Sequence, residues 1–407
     1  MHVKVVMLSS ETIRIVQSTI PLLESAGTEL TRHFYQRMFS HNPELKDVFN
    51  LSHQHSGGQP AALFEAVLGY ARNIDNLSVL SAVVERIAQK HTSFLITPDQ
   101  YQIVGHHLIE TIRELAGEAA TDEVLQAWTE AYQLLANVFI EREEAIYQIN
   151  EDAEGGWRGL RPFRVVRKSR ESELITSFYL EPVDGKPVMA FKPGQYLGIK
   201  LRPTTSCYAE IRQYSLSDAP NGRDYRISVK RETGDVDGVV SNWLHDAVSE
   251  GDVVEVMPPA GDFFLSVEEE SPVILISAGV GLTPMLSMLN TQLQNGHHGS
   301  LFWLHACENG QVHAFSDDIR AKEKQHERLK SWIWYNHPST VDRPAEDYDF
   351  SGLMSLDKVR ELINVPGAHF YCCGPMPFMK MVNETLTDWG IGNDRIHYEM
   401  FGPHGSL

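Results

Sequence analysis

The sequence predicts three domains in tandem: an all-α domain, an antiparallel β-barrel, and an α/β domain built on a parallel sheet. Three changes of pattern along the 407 residues carry that reading. Apolar residues recur at helical spacing through residues 9–149. From 163 to about 266, short runs alternate apolar and polar residues between turn residues, as strands of a small barrel do. From about 270, apolar strands alternate with helical stretches, the pattern of an open parallel sheet with crossover helices. The expected domains are 1–150, 151–268 and 269–407, each of ordinary domain size.

The first stretch predicts six to eight helices and no strand. Leu63, Val67, Tyr70 and Ile74 share one helical face, and Val124, Trp128, Leu135 and Phe139 another. Asn42 followed by Pro43 reads as an N-cap with proline in the first helical position. Thr97-Pro98-Asp99-Gln100 combines a cap, a proline, an early acid and a capping-box glutamine. Gly27 and Gly117 punctuate helix ends. Val84, Ile87 and His91 fall at i, i+3 and i+7, so an apolar helix face ends in an imidazole. A helical histidine upstream of a nucleotide domain suggests a metal cofactor fed by reducing equivalents.

Residues 150–162 (NEDAEGGWRGLRP) mark a linker or the entry to a new domain. In the next stretch Leu174, Thr176, Phe178 and Leu180 alternate with more polar positions, as do Tyr225, Ile227 and Val229. Turns at Val183-Asp184-Gly185, Pro193-Gly194, Pro220-Asn221-Gly222 and Gly251-Asp252 separate the strands. In the last stretch the expected strands are 273–277, 301–304, 332–335 and 369–373.

Bulk composition narrows the function. A net charge of −19, from 35 basic and 54 acidic residues, argues against a nucleic-acid partner. It leaves room for a local basic groove around a dinucleotide phosphate. No run approaches the roughly 18–20 apolar residues of a membrane span. The start, MHVKVVMLSS, lacks the apolar region of a signal peptide. Cys207, Cys307, Cys372 and Cys373 form neither a CxxC nor a zinc spacing, so a reduced, cytoplasmic setting with free thiols is expected.

Gly279-Val280-Gly281-Leu282-Thr283-Pro284 follows an apolar strand and is expected to open a helix at Met285. Glycines let backbone approach a pyrophosphate, and a helix N-terminus offers free N–H groups and a positive dipole. The third glycine of a full fingerprint is missing, so a plain strand–helix turn remains the other reading. Cys373-Gly374-Pro375 ends a later strand, and both turns can face one crevice. In the barrel, Arg212-Gln213-Tyr214-Ser215 follows Tyr196. An arginine there can neutralise a phosphate and a tyrosine can stack on a flat ring, although the run also suits an ordinary strand. Gly238-Val239-Val240-Ser241-Asn242 leads towards a helix expected over Trp243–Val248, a second anion site.

RQYS, the GVVSNWL turn, GVGLTP and CGP stand in the order seen in the ferredoxin–NADP reductase family, and this resemblance covers about 160–407. The carboxyl-terminal run Tyr398-Glu399-Met400-Phe401-Gly402-Pro403 is similar to the family segment that sets an acid and an aromatic beside the flavin ring. With the helical part resembling a globin, the chain as a whole resembles the flavohaemoglobin family over about 8–407. The resemblance implies haem b held by His91, FAD, and NADH or NADPH. It implies a hydrogen-bonded relay of His91, Tyr101 and Glu143, a distal Tyr35 with Gln59 and Leu63, Phe49 packing on the ring, and Lys90 tuning redox balance. FAD contacts are expected at Tyr196, Arg212, Gln213, Tyr214, Ser215, Val240, Ser241, Phe401, Gly402 and Pro403, with Glu399 tuning the flavin. The implied activity is nitric oxide dioxygenase, acting on nitric oxide and dioxygen as a monomer. A hydroperoxide or haem reductase and an oxygen or nitric oxide sensor are the other readings. The chain departs from the family in about six extra residues before Met7 and a longer Glu232–Val239 turn.

Overall fold

A computed structural model of the protein describes residues 8–49, 58–234 and 237–402. The chain divides into two compact units, one running up to Asp152 and the other comprising nearly all that follows. The first is helical: α1 (Ser10–Ser18), α2 (Ile20–Ala26), α3 (Thr28–His41), α4 (Gly58–Arg72), α5 (Ser81–Thr92), α6 (Pro98–Ala116) and α7 (Asp122–Asp152). Its apolar side chains form two clusters bridged by Tyr132 and Leu135. The larger gathers Phe34, Met38, Leu68 and Trp128, and the smaller Ala88, Tyr101, Phe139 and Ile146. Trp128 keeps its indole N–H satisfied by donating to Thr19 Oγ1 at 3.1 Å.

The caps follow the sequence in part. Gly27 and Gly117 end α2 and α6 with φ of 55° and 52°. Gln100 accepts the Thr97 N–H at 2.9 Å, closing the start of α6. Asn42 holds the N-cap position with Pro43 after it, as expected, but Pro43–Asp47 is one short 3₁₀ turn and the Asn42 side chain makes no capping bond to it. Its side chain instead accepts from His107 Nε2 at 2.8 Å and donates to Glu44.

The second unit begins with a six-stranded sheet ordered β4-β3-β6-β1-β2-β5. The strands are β1 (Arg161–Arg170), β2 (Ile175–Pro182), β3 (Tyr196–Leu201), β4 (Glu210–Ser215), β5 (Tyr225–Lys230) and β6 (Val253–Val256). The register is antiparallel wherever it is resolved. Phe163, Phe178, Leu197, Tyr225 and Ile227 fill its interior, and helix α8 (Val239–Asp246) closes it with Val240 and Leu244. This helix starts four residues before the expected Trp243, because Gly238 takes the extended N-cap conformation and Val239 turns immediately.

A second six-stranded sheet follows, ordered β10-β9-β8-β7-β11-β12, with every resolved pairing parallel. Its strands are β7 (Val273–Ala278), β8 (Leu301–Cys307), β9 (Leu329–Tyr335), β10 (Phe350–Ser351), β11 (His369–Cys373) and β12 (Ile396–Glu399). The flanking helices are α9 (Leu282–Gln294), α10 (Ser316–Gln325), α11 (Arg360–Ile363) and α12 (Met376–Asp388). Strand order runs outward from β7 on one side and resumes at β11 on the other. The switch point, where ligands of such sheets sit, therefore lies between β7 and β11. Barrel and sheet domain are joined at Asp218, whose carbonyl accepts from Ser287 and whose carboxylate accepts from Asn290, both at 2.8 Å.

The turns after β7 and β11 touch. A Cβ on Gly281 would stand 2.2 Å from the Cys373 carbonyl oxygen, so only glycine lets the two backbones approach this closely. Beneath them lies a neutral histidine pair. His305 and His313 have ring centroids 5.1 Å apart, with His305 Nδ1 at 2.9 Å from Ser277 Oγ and His313 Nδ1 at 2.9 Å from the Tyr335 hydroxyl. Burial holds both imidazoles below the usual histidine range, His313 at about 4.

Two predictions follow from this packing. Gly281→Ala should cost about 1–3 kcal/mol, because backbone must shift to admit one methyl group, and denaturant midpoints of the two proteins would show it. Acidification should also destabilise the second unit. The unfolded chain protonates His313 below about pH 6.5, but the folded chain does so only near pH 4. Stability is thus full above pH 6.5 and declines by about 3 kcal/mol by pH 4 from this residue. A guanidinium midpoint that stays constant from pH 7 to 4.5 would contradict it.

Candidate functional site

In the helical unit, α5 carries His91 to within reach of α6 and α7. His91 Nδ1 lies 2.7 Å from the Tyr101 hydroxyl and 2.8 Å from Glu143 Oε1. Tyr101 in turn donates to Glu143 Oε1 at 2.5 Å. The hydrogen positions follow from chemistry. Burial, then the Glu143 charge, pushes the Tyr101 phenol far above its ordinary range, so it keeps its proton and gives it to the carboxylate. His91 Nδ1 must then be the N–H donor to both oxygens, which leaves Nε2 with a bare lone pair. Glu143 is only 3% exposed, so its charge is sustained by these two donors.

Around this triad, the Phe139 ring lies 5.7 Å from His91 and 6.3 Å from Tyr101. Phe139 reads from sequence as part of a helical stripe, and its contact with His91 depends on how α5 meets α7. Tyr132 donates to the Tyr101 carbonyl at 2.6 Å and lies where a side chain on Gly105 would be, which lets α6 and α7 close up. Lys90 precedes His91 on α5 and is half-buried.

A second cluster of this unit holds the distal candidates. Tyr35, on α3, is buried, with its ring 5.9 Å from those of both Phe39 and Phe49. Leu63 on α4 packs on the same cluster, and Gln59 stands in the first turn of α4. Phe39, four residues after Tyr35, is the aromatic neighbour that the sequence reading omitted.

In the barrel, Arg212, Gln213, Tyr214 and Ser215 lie on β4, and Tyr196 opens the adjacent β3. The Leu216 N–H donates to the Gln195 carbonyl at 2.9 Å, so the end of RQYS and the start of β3 are held together. Val240 and Ser241 occupy the first turn of α8, with Val240 in the core cluster on which Tyr214 packs. Asn242 pins the preceding loop by donating to the Glu232 and Gly238 carbonyls, both at 2.8 Å. Glu399 ends β12, Phe401 is 49% exposed, and Gly402 takes a φ of 121°. Pro403 lies outside the described residues.

At the switch point, Gly279-Val280-Gly281 forms a 3₁₀ turn and α9 begins at Leu282, three residues before the expected Met285. Leu282 and Thr283 are buried and Thr283 donates to the Val280 carbonyl at 3.0 Å, so this turn offers backbone rather than side chains. Pro284 is buried as well. Across from it, Cys373 is buried with its thiol held well above the usual range, while Gly374 and Pro375 lead into α12. The first turns of α8, α9 and α12 carry no acidic residue. Those of α6, α7 and α10 do: Asp99, Asp122 with Glu123, and Asp317 with Asp318. An acid in the first turn would compete with a bound phosphate for the same N–H groups and dipole. Within the second unit the three helices expected to meet phosphates lack such an acid while α10 and α11 carry one; α2, α4 and α5 of the first unit lack it as well.

Comparison with known proteins agrees with this division. Residues 32–139 match the globin family, 162–265 the oxidoreductase FAD-binding domain and 275–384 the oxidoreductase NAD-binding domain. The fold is shared with a flavohaemoglobin from Malassezia yamatoensis solved with bound FAD and haem, with 24% identity, a TM-score of 0.85, and coverage of 97% of this chain and 100% of that one. The FAD/NAD-binding domain of nitric oxide dioxygenase from Vibrio cholerae is 43% identical with a TM-score of 0.55, covering 60% of this chain and all of that one. The cytochrome b5 reductase domain of Ulva prolifera nitrate reductase shares the fold of the second unit at 22% identity, with a TM-score of 0.52 over 59% of this chain and 97% of that one. A globin followed by FAD-binding and NAD-binding oxidoreductase domains places the chain in the flavohaemoglobin family.

Proposed function

We propose that the protein is a nitric oxide dioxygenase driven by NAD(P)H. Two nitric oxide and two dioxygen molecules, with the two electrons of one NAD(P)H, become two nitrate ions, NAD(P)⁺ and a proton. The observation that carries this reading is the His91–Tyr101–Glu143 set within a globin joined to a reductase. With its Nδ1 proton engaged, His91 offers Nε2 alone, the donor that haem iron takes from a proximal histidine. When bound, haem supplies an iron that exchanges single electrons, and FAD links the two-electron hydride of NAD(P)H to that one-electron chemistry.

The chain's own groups divide the remaining work. Glu143 polarises the imidazole through Nδ1–H, raising the basicity of Nε2, and Tyr101 keeps the carboxylate aimed. Tyr35 lies buried in the aromatic group of Phe34, Phe39 and Phe49, and its hydroxyl is the donor proposed to hold dioxygen, with Gln59 the second polar group assigned to that side and Leu63 and Phe49 assigned to exclude water. Arg212 meets the FAD phosphates, Tyr196 and Tyr214 meet the flavin, and Gln213, Ser215, Val240 and Ser241 complete the site. Phe401, Gly402 and Pro403 cover the flavin, with Glu399 and Lys90 tuning redox balance. The turns at Gly279–Pro284 and Cys373–Pro375 receive NAD(P)H through backbone N–H groups.

Nitric oxide consumption on an electrode tests the reading, with purified protein supplied with haem, FAD and NADH and nitrate assayed afterwards. Fast loss that requires both NADH and dioxygen, with matching nitrate, is expected. Slow or oxygen-independent loss would favour a peroxide reductase or a sensor. His91→Ala should abolish haem retention while NADH-driven ferricyanide reduction survives; unchanged haem content would remove His91 as the ligand. Glu143→Gln should keep haem but slow nitric oxide turnover about ten- to a hundred-fold, and equal rates in the two proteins would refute the role given to the carboxylate.

A further inference from the structure

Lys168 lies on β1, in the charged run 164–170. Its ammonium group is half-buried and spends all three protons on backbone carbonyls: His245 at 2.6 Å, Val248 at 2.8 Å and Leu244 at 3.1 Å. Leu244 and His245 belong to the last turn of α8, where carbonyls have no partner within the helix and the dipole is negative. The lysine is itself fixed. Its backbone N–H donates to Glu250 at 2.8 Å, and its ammonium lies 5.3 Å from the centre of the Phe178 ring. The same end of α8 is tied sideways, by His245 Nε2 to the Val229 carbonyl at 2.8 Å and by the Arg231–Asp246 ion pair.

A helix of eight residues is about 12 Å long, so a clamp on its last turn sets where its first turn stands. We propose that Lys168 is a positioning residue for FAD: by holding the C-terminal carbonyls of α8 it fixes the axial position of the helix, and so presents the Val240 and Ser241 N–H groups to the cofactor's diphosphate. This rests on the assignment of the α8 N-terminus to FAD made above. Lys168 touches no part of that first turn, which makes its effect separable from direct contact.

The test compares FAD affinity in full-length protein, by reconstituting the FAD-depleted chain, for wild type, Lys168→Met, Lys168→Arg and Ser241→Asp. Lys168→Met should raise the apparent Kd for FAD about ten-fold, and Lys168→Arg should restore most of it. Haem content should stay at the wild-type level throughout. A pH series adds a readout that a merely structural role would not move. Burial, helped by Arg231, lowers the ammonium's hold on its proton, against Asp246 and Asp252, which raise it. Wild-type affinity should therefore fall on the alkaline side below lysine's ordinary value of about 10.5, and Lys168→Arg should remove that fall. His245 and Glu250, the other groups nearby, are common to both proteins. If Ser241→Asp keeps wild-type affinity, the assignment of FAD to α8 fails and the proposal with it. If Ser241→Asp loses FAD while Lys168→Met does not, the assignment stands and the positioning role falls. If Lys168→Met fails to fold, the pH profile of Lys168→Arg decides: a fall matching wild type overturns the proposal.

Discussion

A carboxylate removed from water must be satisfied by donors or it will not stay charged. Glu143 meets that condition through one phenol and one imidazole, and the arrangement of α5, α6 and α7 answers to it. Tyr101 must start α6 facing α7, which the proline-led, glutamine-capped turn at 97–100 achieves. Helices α6 and α7 must come close, which Gly105 permits by yielding its side-chain space to Tyr132. With Nδ1 fully occupied, His91 is left one lone pair, and its chemistry narrows to that of a metal ligand.

The second unit solves a different problem with backbone rather than side chains. The elements proposed to face phosphates are helix starts and glycine turns, and beside the paired Arg161 and Arg226 several of its buried ionisable groups are kept neutral. His305, His313, Cys372 and Cys373 are all held uncharged by burial. A fixed negative charge near the switch point would oppose a dinucleotide, whose own phosphates are negative. The absence of acids from the first turns of α8, α9 and α12 would serve the same end under the proposed function.

Much of this was legible in the sequence because it rests on local periodicity. The helices of the first unit, the alternation of β2 and β5 and the apolar β7 and β11 each bury a regular face, and a regular face leaves a regular pattern. The glycine turns before α9 and α12 were legible for a related reason, since glycines and helix starts have fixed local chemistry. The start of α8 was not, because Val239 and Val240 follow a glycine and resemble the end of a loop as much as a first turn. Asn42 sits at its expected cap position without the capping bond, because its side chain is claimed by His107, 65 residues away. The contacts of Phe39 with Tyr35 and of Phe139 with His91 were overlooked because an aromatic in a helical stripe looks like any core residue until its neighbours are known. Lys168 carries no sequence signal, since nothing local tells a clamp from a surface charge.

Glu143 is separated from His91 by 52 positions along the chain, within a helix of 31 residues. Each residue added to or taken from α7 between its packed N-terminal turns and Glu143 would rotate the carboxylate about 100° around the helix axis. The proximal imidazole would then face whichever side chain came round. The basicity of the His91 Nε2, the nitrogen proposed to hold haem iron, thus depends on the length of α7 before Glu143. An insertion there would change which side chain meets the imidazole, while the same change in 153–160, between α7 and β1, would leave the triad untouched. Variation in chain length should accordingly accumulate outside this helix, and the histidine should prove more sensitive to a single inserted residue far from it than to many substitutions close by.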